Sequence, residues 1–261
     1  MKVNLVSNPI KTNVFIHIPK CAGTSFSRQL RRAYGKENVF VANPSSTPKL
    51  LAGKGIDGFS SFKFVCGHFL ASDLVDDKKK KPNFMNWLTI LRDPVQRLKS
   101  AYNFYLSMDL NLKPDLKDSP VYQAVLRNDN LYHFARSLGE DHRNLQAKCI
   151  TVKKNYSSSQ ELMKSSLRSL KNDFLLVGLT EEMNKTVMLA SILLNLKKMN
   201  KALKVNVSEE NYVYGRHKKI ESISVSKDDE NNIRDLNSID CSLYSEGKKI
   251  FRALCKKHNL N

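Results

Sequence analysis

Several features are missing from this sequence, and each absence removes a class of protein. No apolar stretch is long enough to cross a bilayer, and the N-terminus MKVNLVSNPIKTN lacks the apolar core of a signal peptide. The 5 cysteines are odd in number and include no CxxC pair, and the 6 histidines form no cluster with metal-ligand spacing. We therefore expect neither a disulfide framework nor a metal site, and predict a cytoplasmic protein with reduced thiols.

Acidic residues are also scarce: 25 Asp and Glu stand against 43 Lys and Arg, which gives a formal net charge of +18. Such an excess favours anionic partners, namely a nucleotide, an acidic glycan, nucleic acid or a membrane surface. A solvated basic face with no specific partner would give the same composition. The basic residues are spread along the whole chain and no nucleic-acid module is recognisable, so nucleic acid is not the expected partner.

Short, continuously apolar runs alternate with segments of helical periodicity. The runs are VFIHI at 14–18, FKFVC at 62–66, WLTIL at 87–91 and FLLVG at 174–178, and a short strand is also predicted at Val39–Ala42. This alternation predicts an α/β fold of three layers, with a central parallel sheet covered by helices on both faces. With 261 residues, 41% of them hydrophobic, we expect one domain over 1–261 with its core at about 13–257.

Helix boundaries are indicated by capping residues. Gly35 predicts the end of a first helix, Asp93 and Pro94 begin a second that runs to about Leu106, and Ser158 with Glu161 forms a capping box. We also expect helices over 120–138, 159–171, 182–197 and 239–257. Residues 43–61 predict an extended surface loop, whereas 205–235 have no clear assignment.

The segment HIPKCAGTS at 17–25 follows the first predicted strand and begins a helix. In parallel sheets, ligands bind beyond the carboxyl ends of the strands, and a helix N-terminus there favours an anion. Lys20 adds a positive charge, and Thr24 and Ser25 add donors. The loop is not a Walker A motif, because GxxxxGK[ST] is absent and the lysine precedes the glycine. An ordinary strand-to-helix turn with a solvated lysine is the alternative.

Two further segments end at the same predicted edge. Arg92 follows WLTIL, and Ser100 lies about two turns into the next helix, so both side chains are candidates for a second phosphate. His68 follows FKFVC, where a neutral imidazole could take a proton from a hydroxyl. Each has a structural alternative: an ion pair for Arg92, a small helix residue for Ser100, and a packed ring for His68. His17, inside the first predicted strand, is interpreted as a structural histidine.

Together, HIPKCAGTS and LRDPVQRLKSAYNFYL resemble the Golgi-type carbohydrate sulfotransferases, especially the heparan sulfate 2-O-sulfotransferase-like group. The resemblance continues through Asn144-Leu145-Gln146, FLLVGLTEEM at 174–183 and LYSEGKKIF at 243–251. It implies a P-loop-NTPase-like sulfotransferase fold and 3′-phosphoadenosine-5′-phosphosulfate (PAPS) as cosubstrate, without a metal. The acceptor would be a hydroxyl-bearing molecule such as a glycan or glycoconjugate.

The resemblance also implies roles for individual residues. The 5′-phosphosulfate would be held by Lys20, Cys21, Ala22, Gly23, Thr24 and Ser25. The 3′-phosphate would be held by Arg92 and Ser100. His68 would be the general base, Lys20 would neutralise the leaving group, and Arg216 would contact the nucleotide or the acceptor from a late loop.

This sequence departs from the family pattern in a few places. Cys21 stands where many relatives have threonine, which removes a side-chain hydroxyl from the loop. Cys66 replaces the first histidine of the relatives' His-Gly-His, which leaves open whether His68 has a paired imidazole. The N-terminus lacks the membrane anchor of most animal relatives, which suggests a prokaryotic or otherwise cytosolic member.

Two other functions remain open on the sequence alone. A P-loop kinase or NTPase would have a similar fold, although the missing Walker A motif and magnesium ligands count against it. A basic nucleic-acid-binding protein is the other alternative, and it is motivated only by the net charge.

Overall fold

The computed structural model describes residues 11–42, 55–75, 80–109, 111, 114, 117–196, 218 and 220–260. Within these residues, a 5-stranded sheet has the order β2-β3-β1-β4-β5. Every neighbouring pair is parallel. The strands are β1 (Thr12–Ile16), β2 (Val39–Val41), β3 (Phe64–Gly67), β4 (Met85–Leu91) and β5 (Phe174–Leu179). The parallel sheet predicted from the apolar runs is confirmed.

Helices connect and cover these strands. In the described part of the chain the α-helices are α1 (Gly23–Tyr34), α2 (Pro94–Leu106), α3 (Pro120–Arg127), α4 (Leu131–Ser137), α5 (Leu145–Ile150), α6 (Ser159–Asn172), α7 (Met183–Leu193), α8 (Lys227–Leu236) and α9 (Ser238–Lys257). None of these helices is both long enough and apolar enough to cross a membrane.

The two faces of the sheet are covered by different helices. A Cβ atom on Gly178 of β5 would lie 2.3 Å from Thr186 of α7 and 3.2 Å from Ile90 of β4. A Cβ atom on Gly247 of α9 would lie 2.6 Å from Leu91 of β4. Because consecutive strand residues point to opposite faces, α7 and α9 lie on opposite sides of the sheet. The predicted three-layer α/β architecture is confirmed.

The local capping signals are largely as predicted. Asp93 Oδ1 accepts hydrogen bonds from the backbone N–H groups two and three residues further on, at 3.0 and 3.2 Å, and Pro94 is the first helical residue. Ser158 Oγ accepts from the N–H of Glu161 at 3.2 Å. The reciprocal half of the capping box is different, because the Glu161 carboxylate binds the N–H of Ser157 instead of Ser158.

Other predicted boundaries are wrong. The single helix expected over 120–138 is two helices, since the Asn130 side chain accepts from two N–H groups of α4 and begins a new helix there. The predicted loop at 43–61 contains a 3₁₀ segment, Gly55–Ser61, because Phe59 is fully buried against the sheet; residues 43–54 lie outside the described residues. The helix expected over 182–197 ends at Leu193, and the unassigned region contains α8, which Ser226 caps.

Candidate active site

The candidate site lies at the carboxyl edge of the sheet, where neighbouring strands end. β1 lies between β3 and β4 and pairs in parallel with both. The carboxyl ends of parallel strands meet at one edge, which is where such sheets bind ligands. The segments that begin at His17, His68 and Arg92 follow these strands, so the structure brings all of them to one edge.

The loop from Lys20 to Ser25 has a strained backbone and an open helix start. Lys20 and Ala22 have φ values of 67° and 56°, a left-handed conformation that costs free energy for residues other than glycine. Helix α1 begins at Gly23 with no side-chain cap, and its first turn contains no acidic residue. The first N–H groups of a helix have no partner within the helix, so this turn favours an anion.

Gly23 allows His17 to pack against the start of α1. A Cβ atom on Gly23 would lie 2.0 Å from His17 Cδ2, so any larger residue would displace the ring. Burial, followed by the nearby His68 and Lys20, lowers the pKa of His17 to about 3. His17 is therefore neutral at ordinary pH, and its contacts agree with the structural role predicted for it.

Lys20 is held close to a second cation. Its Nζ lies 3.6 Å from the centroid of the Phe104 ring, which is a cation–π contact. Burial, and then the positive charge of Arg92, lowers the pKa of Lys20 to about 8. The lysine is thus a weaker base than in water, and a bound anion would restore its preference for the charged form.

Arg92 is bonded to the Lys20 loop. Its Nη1 donates a 3.1 Å hydrogen bond to the backbone oxygen of Lys20. Its Nε is buried without a hydrogen-bond partner in the described part of the chain. The neighbouring Asp93 does not neutralise it by a salt bridge, because Asp93 caps α2 and pairs with Arg234 at 2.9 Å. The guanidinium therefore has donor capacity left for a ligand.

Ser100 lies in α2 one helical turn before Phe104. Residues four apart in a helix lie on the same face. Since Phe104 contacts Lys20, this face of α2 is the one that lies beside the Lys20 loop. Ser100 is half-buried there.

His68 is exposed at the end of β3 and its orientation is fixed by β1. Its Nδ1 lies 2.8 Å from the backbone oxygen of His17. Its ring stacks on the ring of His17, with centroids 4.3 Å apart. The position that carries the first histidine in the resembled family, Cys66, is buried in the core. The imidazole that accompanies His68 is therefore His17, which follows the end of β1 and does not lie inside the strand as predicted.

Arg216 lies outside the described residues, so its role stays a prediction. Sequence reasoning missed two residues at this edge, Phe104 and Gln146. Phe104 could have been found as the residue four positions after Ser100 on the same helix face. Gln146, whose side chain bonds to the backbone of Arg92 at 2.9 Å, belongs to the segment Asn144-Leu145-Gln146 that carries part of the resemblance.

The described residues contain no group of three or more His, Cys, Asp or Glu side chains placed to hold a metal ion. The groups that the structure brings together at this edge are the cationic side chains at the strand ends, the N-terminus of α1 and the exposed imidazole of His68. They can bind an anion that carries more than one charged group, and they can accept a proton beside it.

A comparison with known protein families covers this part of the chain. Residues 4–131 match the family described as the sulfotransferase family. The chain is also similar to galactose-3-O-sulfotransferase 2 of Homo sapiens, with 27% identity over 150 residues that cover 54% of this chain and 35% of the human protein. The chain thus spans about a third of the length of that relative. The family match includes the positions of Lys20, His68 and Arg92, and the described residues of the chain have an α/β fold.

Proposed function

We propose that this chain is a sulfotransferase that moves a sulfuryl group from PAPS to a hydroxyl of a carbohydrate. The observation that supports this most is the hydrogen bond of 3.1 Å between Arg92 Nη1 and the backbone oxygen of Lys20. It brings cationic side chains from two neighbouring strand ends within reach of one nucleotide that carries phosphates at both its 3′ and its 5′ position.

The donor would bind across these strand ends. The 5′-phosphosulfate would lie on the loop, against Lys20 and the first N–H groups of α1, and the 3′-phosphate would lie against Arg92 and Ser100. In the part of the chain that the structure describes, neither Lys20 nor Arg92 forms a salt bridge, and Arg92 Nε is buried without a partner. A dianionic ligand would supply the missing charge and the missing acceptors.

The geometry of His68 supports its role as the general base. A backbone carbonyl can only accept a hydrogen bond, so the contact with His17 requires the proton on His68 Nδ1. The neutral ring then has its lone pair on Nε2, which can take the proton of the acceptor hydroxyl.

Transfer would be an in-line displacement at sulfur. The acceptor oxygen forms the new O–S bond, while the bond between sulfur and the 5′-phosphate oxygen breaks. The hydroxyl proton goes to His68 Nε2, and the electron pair stays on the departing 5′-phosphate. Lys20 and the loop N–H groups would stabilise the charge that develops there.

A carbohydrate acceptor is supported by the similarity to human galactose-3-O-sulfotransferase 2, whose name gives galactose as its acceptor. The finer resemblance, to heparan sulfate 2-O-sulfotransferases, has no support from the comparisons and stays a prediction. The single-domain organisation of 1–261 and the cytoplasmic location are also predictions. The kinase or NTPase alternative and the nucleic-acid-binding alternative are not favoured, because the matching family is one of sulfotransferases.

The function can be tested by thermal shift with the product nucleotide 3′-phosphoadenosine-5′-phosphate (PAP) against ATP with magnesium. We expect PAP to stabilise the protein more strongly. Stabilisation by ATP with magnesium and none by PAP would contradict the proposal. A screen with PAPS that carries a radiolabelled sulfuryl group should then find the label on sugars that contain galactose or uronic acid. A control reaction without acceptor should give no labelled sugar.

A further inference from the structure

Gln146 is fully buried, and its side chain bonds to Arg92 through both ends of the amide. The backbone N–H of Arg92 donates to Gln146 Oε1 at 2.9 Å, and Gln146 Nε2 donates to the backbone oxygen of Arg92 at 2.9 Å. Arg92 follows directly after β4, where the ladder with β5 has ended at Leu91. The amide of Gln146 thus takes the place of the next strand residue and fixes the backbone from which the Arg92 guanidinium extends.

The same amide oxygen also contacts the Lys20–Ser25 loop. Cys21 Sγ lies 3.6 Å from Gln146 Oε1. Burial raises the pKa of the Cys21 thiol to about 12, so the sulfur keeps its proton and donates it. Gln146 Oε1 therefore accepts hydrogen bonds from both segments that we propose bind the nucleotide: the Lys20–Ser25 loop and the segment at Arg92.

Gln146 is itself fixed from the C-terminal part of the chain. Asp240, fully buried at the start of α9, accepts hydrogen bonds from the N–H groups of Gln146 and Ala147 at 3.1 and 2.8 Å. In return, Asn144 Oδ1 accepts from the N–H of Asp240 at 3.1 Å. The starts of α5 and α9 cap each other, which leaves Gln146 little freedom to move.

We propose that Gln146 is a positioning residue that aligns the 3′-phosphate site at Arg92 with the 5′-phosphosulfate loop. This inference rests on the proposed function. Gln146 acts through Arg92 and Cys21, since its oxygen already accepts bonds from both and its nitrogen donates to Arg92. Its substitution should weaken recognition of the 3′-phosphate more than recognition of the rest of the nucleotide.

The test compares wild type, Gln146→Met and Gln146→Glu by calorimetry with PAP and with adenosine 5′-phosphate, which lacks the 3′-phosphate. Methionine is similar in size to glutamine but forms none of the three side-chain hydrogen bonds to Arg92 and Cys21. Glutamate keeps an oxygen that accepts from Arg92 and Cys21 but lacks the amide nitrogen that donates to the Arg92 backbone oxygen. We expect the preference for PAP to fall about tenfold or more in Gln146→Met and by a smaller factor in Gln146→Glu. The KM of the sugar acceptor should not change.

Gln29→Met is the matched control, because Gln29 is also a buried glutamine and its Nε2 has no partner in the described residues. A purely structural role for Gln146 would lower Tm and the active fraction and leave the preference for PAP at its wild-type value, which would overturn the proposal. If Gln146→Met does not fold, Gln146→Glu alone decides between these outcomes. Wild type that fails to prefer PAP would instead contradict the proposed function.

Discussion

Arg92 and Lys20 are in direct contact although 72 residues separate them in the sequence. The Arg92 guanidinium holds the backbone of Lys20, while the Lys20 ammonium lies on Phe104. Each cation thus has a fixed position before any ligand arrives. Such preorganisation reduces the cost of binding a nucleotide with two charged ends.

Arg92→Ala should weaken PAP binding on the order of 10- to 100-fold, because a hydrogen bond to a charged group contributes more than a neutral one. Calorimetry with PAP measures the change. Arg252→Ala is the matched control, since Arg252 is an exposed arginine of α9 and its loss changes the net charge equally. Equal affinities for PAP in both variants would show that the 3′-phosphate site is misassigned.

His68→Ala should lower kcat by about 10²- to 10⁴-fold, the range typical of a lost general base. PAP affinity should not change, because the proposed role of His68 concerns only the acceptor hydroxyl. Steady-state sulfation rates and PAP calorimetry provide the two readouts. His133→Ala, which removes an exposed histidine of α4, is expected to retain full activity. A normal rate in His68→Ala would remove His68 from the mechanism.

PAP affinity should decrease as the pH rises above about 8. The pKa of Lys20 is lowered to about 8 in the free protein, so the lysine loses its proton above that pH, whereas the bound dianion favours the charged form. Phosphate groups are already fully charged there, since their second pKa is about 6. Binding above pH 8 therefore takes up a proton, and the affinity falls.

Calorimetry between pH 7 and 9.5 measures this dependence. Lys20→Arg should abolish it, because an arginine stays charged throughout the range. An affinity that does not vary with pH in the wild type would mean that Lys20 does not contact the donor.

Gly23→Ala should displace the His17 ring, since the added Cβ would lie 2.0 Å from it. Overpacking of this size should lower Tm by about 2 to 10 °C. Because His68 stacks on His17, kcat should fall as well. Gly178→Ala introduces a comparable clash with Thr186, away from the histidines, and serves as the control for stability alone. If both variants lose stability and keep kcat, His17 does not position His68.

The parallel sheet and the alternation of strands and helices along the chain could be predicted, because their signals are local. Continuous apolar runs mark buried parallel strands, and Asp93 with Pro94 marks the start of α2 from two adjacent residues. The helix break at Asn130 was missed although its signal, a capping asparagine, is also local.

The contacts that complete the site could not be predicted, because they depend on how distant segments pack. Gln146 lies 54 residues from Arg92 and 125 residues from Cys21 in the sequence. The pairing of His17 with His68 required knowing that β1 and β3 are neighbours, and their order in the chain does not determine this.

The hydrogen bonds that Asp240 accepts from the start of α5 also have a consequence for synthesis of the chain. Both cationic strand ends are made early, but the helix that locks Gln146 beside them leaves the ribosome more than a hundred residues later than Arg92. A nascent chain could therefore form most of the sheet before Gln146 aligns the two proposed phosphate sites. The alignment of the two sites would be complete only after α9 has packed against α5.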